Sequence, residues 1–263
     1  MSKPSSAGAA TAAVDGDGTG GHRSGPGSGT AGGRAAPAKG AAARLEAAAW
    51  RALGEVLDPE LDQPITDLGF VAACEVVDGE VRVELRLPTY FCAPNFAYLM
   101  VADAREALAA VSGGPVRVRL LDHFASEEIN AGVAAGDGFD ATFPGLAAGE
   151  LDDLRATFLR KAHAAYQQQI AARLLKAGRT HAELVRLRLG ELAEDTTRLR
   201  RRRRQLGLPS ADDAPLLVDD EGRPVDAESL PLRLRFARTT QVSIEGNAGW
   251  CRGLLGTRYG DLH

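Results

Sequence analysis

The dipeptide Asp78-Gly79 lies between two short apolar segments and constrains the fold more than any other local pattern in this chain. Residues 70–77 precede it, and residues 81–87 follow it. The second segment alternates apolar and polar side chains, with the period of two that is typical of a half-buried strand. An Asp-Gly pair favours the tight two-residue turn of an antiparallel hairpin. The sequence therefore predicts a β-hairpin here.

Apolar residues recur at helical spacing both before and after this β-hairpin. Apolar residues predict one helix over residues 41–57, which Asp58-Pro59 ends because a residue before proline avoids helical geometry. A second helix is predicted from Pro94 to about Val111.

A third strand is predicted over residues 116–120, and a helix with Ser126 as its N-cap follows. The order α-β-β-α-β-α predicts an α+β fold, a small mixed sheet with helices packed on it, that occupies residues 41–135.

The remaining segments differ in composition. Residues 1–40 are rich in Gly, Ala, Ser and Thr with few large apolar side chains, and we predict that they are disordered. Residues 136–149 are predicted to be a linker, residues 150–206 a helical hairpin, and residues 207–263 a β-rich segment.

Two sequence patterns occur in the predicted helical hairpin of residues 150–206. Thr180 and Glu183 form a capping box that opens its second helix, predicted over residues 181–205. The basic run of Arg198 and Arg200–Arg204 near the end of that helix is predicted to be solvated, and binding to phosphate or to an acidic partner is the alternative.

Composition excludes several classes of function. The formal net charge is -4, which gives no general attraction to nucleic acid or to a membrane surface. No apolar run approaches the roughly 20 residues that span a bilayer. Only three cysteines occur, widely spaced, so we expect no disulfide framework and a reducing cytoplasmic location. No phosphate-binding glycine loop is present, so we expect no nucleotide dependence.

Cys92 lies in the junction between the predicted second strand and the helix that begins at Pro94. A helix N-terminus carries free N–H groups and the positive end of the macrodipole, and both favour the thiolate form. A thiolate binds metal or attacks an electrophile. The residue types at this junction therefore predict a reactive or metal-binding cysteine, and a small core residue is the alternative.

Three motifs occur in the first domain. They are Asp58-Pro59-Glu60-Leu61 with Asp67-Leu68-Gly69-Phe70, then Thr89 to Pro94 around Cys92, then His123-Phe124-Ala125-Ser126-Glu127-Glu128-Ile129-Asn130. In this order they resemble the small iron–sulfur cluster assembly family that includes the bacterial SufT and PaaD proteins and a subunit of the eukaryotic cytosolic iron–sulfur targeting complex. The resemblance covers about residues 44–135.

The resemblance implies a non-enzymatic accessory protein that hands iron or an iron–sulfur cluster, held transiently, to client metalloproteins. The metal-handling cysteine of the family corresponds to Cys92. The other motif positions are Asp58, Glu60, Thr89, Ser126 and Glu127, and His123 is a candidate ligand. From the residues themselves, turn and cap roles are favoured over ligation for Asp58 and Glu60, and a hydrogen-bonding role in the loop is favoured for His123.

The chain departs from the family pattern after Cys92, where Ala93 precedes Pro94, and in the segments that follow residue 135. Cys74 is expected to face the core, and Cys251 is a weak candidate for a second thiol. Because a cluster needs about four thiolates, Cys92 would share its cargo with a client, the assembly machinery or a second subunit of a homodimer.

Three alternatives remain open from the sequence. One is dedicated maturation of a diiron oxygenase, with the helical hairpin and tail as the docking module. Another is a thiol-dependent enzyme with Cys92 as nucleophile and His123 as base. The third is an adaptor that keeps the fold without metal chemistry.

Overall fold

The computed structural model describes residues 35–145 and 150–260. Residues 1–34, most of the segment predicted to be disordered, lie outside the described residues. The described elements, in chain order, are α1 (Ala35–Leu53), β1 (Val71–Val77), β2 (Glu80–Arg86), α2 (Pro94–Ser112), β3 (Val116–Leu121), α3 (Ser126–Ala135), α4 (Phe139–Thr142), α5 (Glu150–Lys176), α6 (His181–Leu184), a 3₁₀ turn (Leu189–Glu191), α7 (Thr197–Gln205) and α8 (Leu230–Tyr259).

The sheet has three strands in the order β1-β2-β3. β1 and β2 are antiparallel, and β2 and β3 are parallel because α2 crosses between them. Asp78 and Gly79 have φ values of 52° and 83° in the connecting turn, as the tightest hairpin turn requires. The predicted hairpin and the mixed sheet are confirmed.

Helices α1 and α2 contact each other and the sheet, and α3 contacts α2 and β3. The alternating side chains Val81, Val83 and Leu85 of β2 are at most 1% exposed, which puts the centre of the core on one sheet face. The predicted α+β architecture is therefore confirmed for this domain. Helix α1 begins at Ala35, ahead of its predicted start at residue 41.

Two local predictions near α3 are wrong. Ser126 is the first helical residue of α3; Ala125 occupies the N-cap position, and no side chain caps this end. The predicted linker also contains α4, where the buried Phe139 packs edge-on against Tyr98 with ring centroids 5.4 Å apart. An aromatic side chain thus ties this segment to α2.

The helical hairpin is only half confirmed. Its first helix is α5, but the predicted second helix is broken into α6, a 3₁₀ turn and α7. The Thr180–Glu183 capping box is present at the start of α6. Leu184, Leu189 and Leu199 lie in three separate elements across this break, and all three enter a second core.

The predicted β-rich tail is wrong, because residues 230–259 form the long helix α8. The alternating pattern that suggested a strand leaves Leu232 and Phe236 exposed, at 57% and 66%. The inward-facing positions instead follow spacings of three and four residues, which is typical of a helix: Leu230, Leu234, Ala237, Gln241, Ile244, Ala248, Cys251 and Leu255.

Helix α8 connects the two cores of the protein. Leu230 lies in the second core, whereas Ala248 and Leu255 are 0% and 1% exposed in the core of the sheet domain. Between these ends, α8 packs along α5. None of the helices among the described residues combines the length and the apolar character needed to cross a bilayer.

The prediction of a solvated basic run is wrong at two positions. Arg202 and Arg203 are 3% and 0% exposed. Arg202 forms a buried ion pair with Asp62 of the sheet domain, and the neighbouring Arg201 pairs with Glu55 at 2.6 Å. The run therefore joins α7 to the sheet domain.

Candidate functional site

Cys92 lies in the loop between β2 and α2, and its side chain is half-buried against the core. The Thr89 hydroxyl lies 3.2 Å from the Cys92 sulfur, within hydrogen-bond distance. Helix α2 begins two residues later at Pro94, after Ala93 in extended geometry, and no side chain caps it. The predicted position of the thiol at a strand-to-helix junction is confirmed.

His123 is buried next to this loop and is hydrogen-bonded to its backbone. It is 3% exposed, and its Nε2 atom donates a hydrogen bond to the Cys92 carbonyl oxygen at 2.7 Å. Its Nδ1 atom accepts from the Ala125 backbone N–H at 3.2 Å, and we assign the Nε2–H tautomer from these two contacts. Burial lowers the pKa of His123, so the ring is held neutral.

This geometry bears on both roles considered for His123. Both ring nitrogens are engaged by backbone groups, so metal ligation would require one of these hydrogen bonds to break. Neither nitrogen is hydrogen-bonded to the Cys92 sulfur, as a nucleophile–base pair would require. His123 is arranged to position the Cys92 loop.

The Asp58 carboxylate organises the preceding loop. It is 7% exposed, and its Oδ1 atom accepts from the N–H groups of Glu60 and Leu61 at 2.9 and 2.8 Å. This geometry is the predicted turn. Burial raises the pKa of Asp58 to about 6, although the two backbone hydrogen bonds oppose the change.

The third motif joins α3 to the sheet. Asn130 makes a two-bond contact with the backbone of Leu120 in β3: its amide donates to the carbonyl oxygen at 3.0 Å and its oxygen accepts from the N–H at 2.7 Å. Ile129 is fully buried in the core. Ser126 is partly exposed, and Glu127 is exposed in the first turn, where its charge favours the helix dipole. The residues of this motif that follow His123 therefore mainly stabilise α3 and its contact with the sheet.

Helix α8 covers the site, which the sequence prediction missed. Asn247 donates to the Glu60 carboxylate at 3.2 Å, and one turn later Cys251 packs half-buried against the same core as Cys92. The pKa of Cys251 is raised to about 11, first by burial and then by the nearby Asp58, Cys92 and Glu60 groups. Two cysteines distant in sequence therefore pack against the same core, and Cys251 lies one turn from the Asn247–Glu60 contact with the first motif.

The C-terminal part of α8 is held by side chains that bind both side-chain and backbone groups of the neighbouring loops. Arg252 donates to Gln63 at 2.9 Å. Arg258 donates to the carbonyl oxygens of Leu87 and Asp122 at 3.1 and 2.5 Å, and the Tyr259 hydroxyl lies 3.2 Å from the Asp122 carboxylate. These contacts fix α8 across the loops that follow β2 and β3. The spacing of three and four residues in α8 is the signal from which the sequence could have predicted it.

Three exposed aromatic side chains lie beside Cys92, and the sequence prediction missed them as well. Tyr90, Phe91 and Phe124 are 47%, 77% and 46% exposed. Their ring centroids are 4.9 to 6.3 Å apart, so the three form one aromatic cluster. Only 5% of the residues in the chain are aromatic, yet three of them lie together in the loops that follow β2 and β3. An exposed apolar cluster of this kind is typical of a contact surface.

Few candidate metal ligands lie close together in the described part of the chain. Among the described residues, no group of three or more His, Cys, Asp or Glu side chains is arranged to hold a metal ion. All three cysteines are free thiols. Cys74 is 5% exposed and belongs to the core, as predicted, and burial raises its pKa to about 11. Only Cys92 and Cys251 remain as accessible thiols.

The sheet domain can be assigned to a family. Residues 46–119 match the model of the family described as "Iron-sulfur cluster assembly protein". This range contains both halves of the first motif, the Cys92 loop and most of the sheet. The sheet domain therefore matches the iron–sulfur cluster assembly family over these residues, in agreement with the resemblance of its motifs.

The chain is similar to proteins named "Iron-sulfur cluster carrier protein" from Mycobacterium bovis and Mycobacterium tuberculosis. Each is 39% identical over 77 residues, which is 29% of this chain and 20% of the relative. The chain thus spans about a fifth of the length of the curated relatives that it matches. No solved structure matches the chain.

Proposed function

We propose that this protein is an accessory factor that carries iron or an iron–sulfur cluster to client metalloproteins, with Cys92 as the residue that holds the cargo. The observation that carries this proposal is the placement of Cys92, a half-buried free thiol in the family-matched segment at the start of α2. Thiolates are the usual protein ligands of such clusters.

The surroundings of Cys92 support transfer rather than permanent storage. Thr89 lies within hydrogen-bond distance of the sulfur, and His123 fixes the loop backbone. Among the residues that the structure describes, too few candidate ligands surround Cys92 for a closed four-coordinate site. A cargo held by an incomplete ligand set leaves when a client offers a complete one. The matched relatives, named as cluster carriers, support the same class of function.

The aromatic cluster of Tyr90, Phe91 and Phe124 supports a partner that binds over Cys92. These rings are exposed and directly precede Cys92 or follow His123 in the chain. Burial of exposed apolar surface is the main favourable contribution to protein association. A client or a component of the assembly machinery that docks here would bring its own thiolates to the cargo. The proposed site of action is the cytoplasm.

Anaerobic reconstitution with ferrous iron and sulfide tests the proposal. We expect the wild-type protein to bind iron at a substoichiometric level, with visible absorption from thiolate ligation, and to transfer it to an apo-ferredoxin. Cys92→Ala should lose both properties, whereas Cys74→Ala, in which a core thiol is replaced, should keep them. Equal iron content in the wild type and Cys92→Ala would refute the role of Cys92.

A further inference from the structure

The contacts of α8 carry an inference that deepens the proposed function and rests on it. In the described structure, α8 is an integral part of the sheet domain, because Ala248 and Leu255 are buried in its core on either side of Cys251. A residue between two buried anchors on one helix face is held at a fixed position. Cys251 is such a residue.

The position of Cys251 is beside the Cys92 loop. Asn247, one turn before it, binds Glu60, and Arg258, two turns after it, binds the backbone that leads into the Cys92 loop at Leu87. Cys92 and Cys251 both pack half-buried against one core. The influence of the Cys92, Asp58 and Glu60 charges on Cys251 agrees with this proximity.

We propose that Cys251 is the second protein ligand of the Cys92 site, so that the two thiolates together hold one iron, either a single ferrous ion or one edge of a [2Fe–2S] cluster. Each thiol releases its proton to solvent as its sulfur binds the metal. Soft thiolate pairs select iron in clusters and other thiophilic metals over magnesium or calcium.

The number of thiols then explains why the cargo is transferable. A [2Fe–2S] cluster takes about four thiolates, and this chain has three cysteines, of which Cys74 is buried in the core. Cys92 and Cys251 supply half of the set. The other iron is left for thiolates of the client or of a second copy, so the cluster is bound at one edge and presented at the other.

Cobalt(II) alone, under anaerobic and reducing conditions, is a suitable probe, because its charge-transfer absorption grows with the number of thiolate ligands. We expect Cys251→Ser to show roughly half of the wild-type band and to bind Co²⁺ about tenfold more weakly or worse, since even the loss of an outer-shell partner costs that much. Cys92→Ala should show a similar loss. Cys74→Ala is the matched control and should equal the wild type.

A second measurement needs no variant and so does not depend on folding of the mutants. Wild-type protein is alkylated with iodoacetamide with and without Co²⁺, and each cysteine is quantified by peptide mass spectrometry. Protection of both Cys92 and Cys251 is expected. Protection of Cys92 alone, or a wild-type band in Cys251→Ser, would overturn the role of Cys251 and leave the proposed function intact. A wild-type band in Cys92→Ala would overturn both.

Discussion

The His123 imidazole donates to the Cys92 carbonyl oxygen at 2.7 Å, and through this bond a buried side chain after β3 fixes the loop that follows β2. The ring itself is held by the Ala125 N–H at 3.2 Å. The family motif around His123 therefore acts on Cys92 through its backbone. His123 thus positions the thiol of Cys92 without a hydrogen bond to its sulfur.

The first prediction concerns His123. Replacement by Ala leaves the partly buried Cys92 carbonyl without its donor, so we expect a loss of about 1–3 kcal/mol in the free energy of unfolding. Cys92 should also be alkylated faster in the folded protein, because its loop is released. Chemical denaturation and the rate of iodoacetamide labelling measure the two effects.

His123→Gln separates positioning from metal ligation. The Gln amide keeps an N–H donor near the place of Nε2, so we expect it to restore most of the stability and the slow labelling of Cys92. A Gln variant with wild-type stability that nevertheless lost all iron would indicate that His123 ligates the metal directly.

The second prediction concerns the buried Asp58 carboxylate. Its folded pKa of about 6 lies above the value of 3.8 for an exposed Asp, so the folded protein keeps a proton that the unfolded chain releases. The contribution of Asp58 to stability is therefore present below pH 4 and is lost as pH rises through about 6. The difference between the folded and unfolded pKa values of Asp58 corresponds to at most about 3 kcal/mol in the free energy of unfolding.

Asp58→Asn keeps an oxygen for the N–H groups of Glu60 and Leu61 but cannot ionise. We expect its stability relative to the wild type to rise between pH 4 and pH 7, as measured by urea unfolding at each pH. The exposed Asp67→Asn is the control and should show no such trend. Parallel profiles for wild type and Asp58→Asn would contradict the burial argument.

The third prediction concerns His163 on α5, which is 1% exposed and accepts from Arg203 Nε at 3.2 Å. Burial, and then the charge of Arg203, lower the pKa of His163 to about 4. The folded pKa lies below the unfolded value of 6.5, so the unfolded chain binds more protons in this range. Stability is expected to fall by about 3 kcal/mol as pH drops from 6.5 to 4.

His163→Gln keeps a hydrogen-bond acceptor for Arg203 and removes the titration. We expect the difference in unfolding free energy between wild type and this variant to vary with pH over that window, opposite in sign to the trend of Asp58. The partly exposed His181→Gln is the control. A pH-independent difference for His163→Gln would show that the ring is hydrated.

The sheet domain could be predicted from the sequence because its signals are local. The alternation in β2, the Asp78-Gly79 turn and the helical spacing after Pro94 all lie within single elements. The motif Asp67-Leu68-Gly69-Phe70 also has a local cause: Gly69 has a φ of 77°, and Leu68 and Phe70 enter the core. Neighbouring residues therefore decide this part of the fold.

The tail could not be predicted in this way because two patterns compete in it. Leu232 to Phe236 alternate as in a strand, and four glycines at positions 246, 249, 253 and 256 each lower helix propensity by about 1 kcal/mol. Burial of Leu230, Ala248 and Leu255 in two separate cores overrides both signals. The partner surfaces that bury these residues lie far away in sequence, so no local pattern predicts that Cys251 packs against the same core as Cys92.

The fourth prediction concerns the ion pair between Arg202 and Asp62, whose side chains are 4% and 10% exposed. Removal of one partner leaves the other charge buried, so we expect Arg202→Met to cost about 3–5 kcal/mol. Asp62 has a φ of 52°, which Asn tolerates best, so Asp62→Asn is the matching change. The double variant should be more stable than Arg202→Met alone.

A double-mutant cycle by urea unfolding measures this coupling. Arg201 and Glu55 form the control pair, since the Glu55 side chain is 71% exposed, and their coupling should be below about 1 kcal/mol. Equal couplings for the two pairs would show that α7 is not held to the sheet domain by the buried pair.

The last prediction concerns Arg203, which is fully buried and has no carboxylate partner among the described residues. Its two terminal nitrogens each donate to a loop carbonyl at 2.7 Å, those of Pro215 and Leu216, and burial lowers its pKa to about 10. Lysine keeps the charge but lacks the planar fork, so Arg203→Lys should lose about 3 kcal/mol of unfolding free energy. The exposed neighbour Arg204→Lys should change it by less than about 0.5 kcal/mol. The midpoints of urea unfolding, at an unchanged m-value, measure the stability losses of both variants. Similar losses at the two positions would mean that the fork geometry of Arg203 does not stabilise the fold.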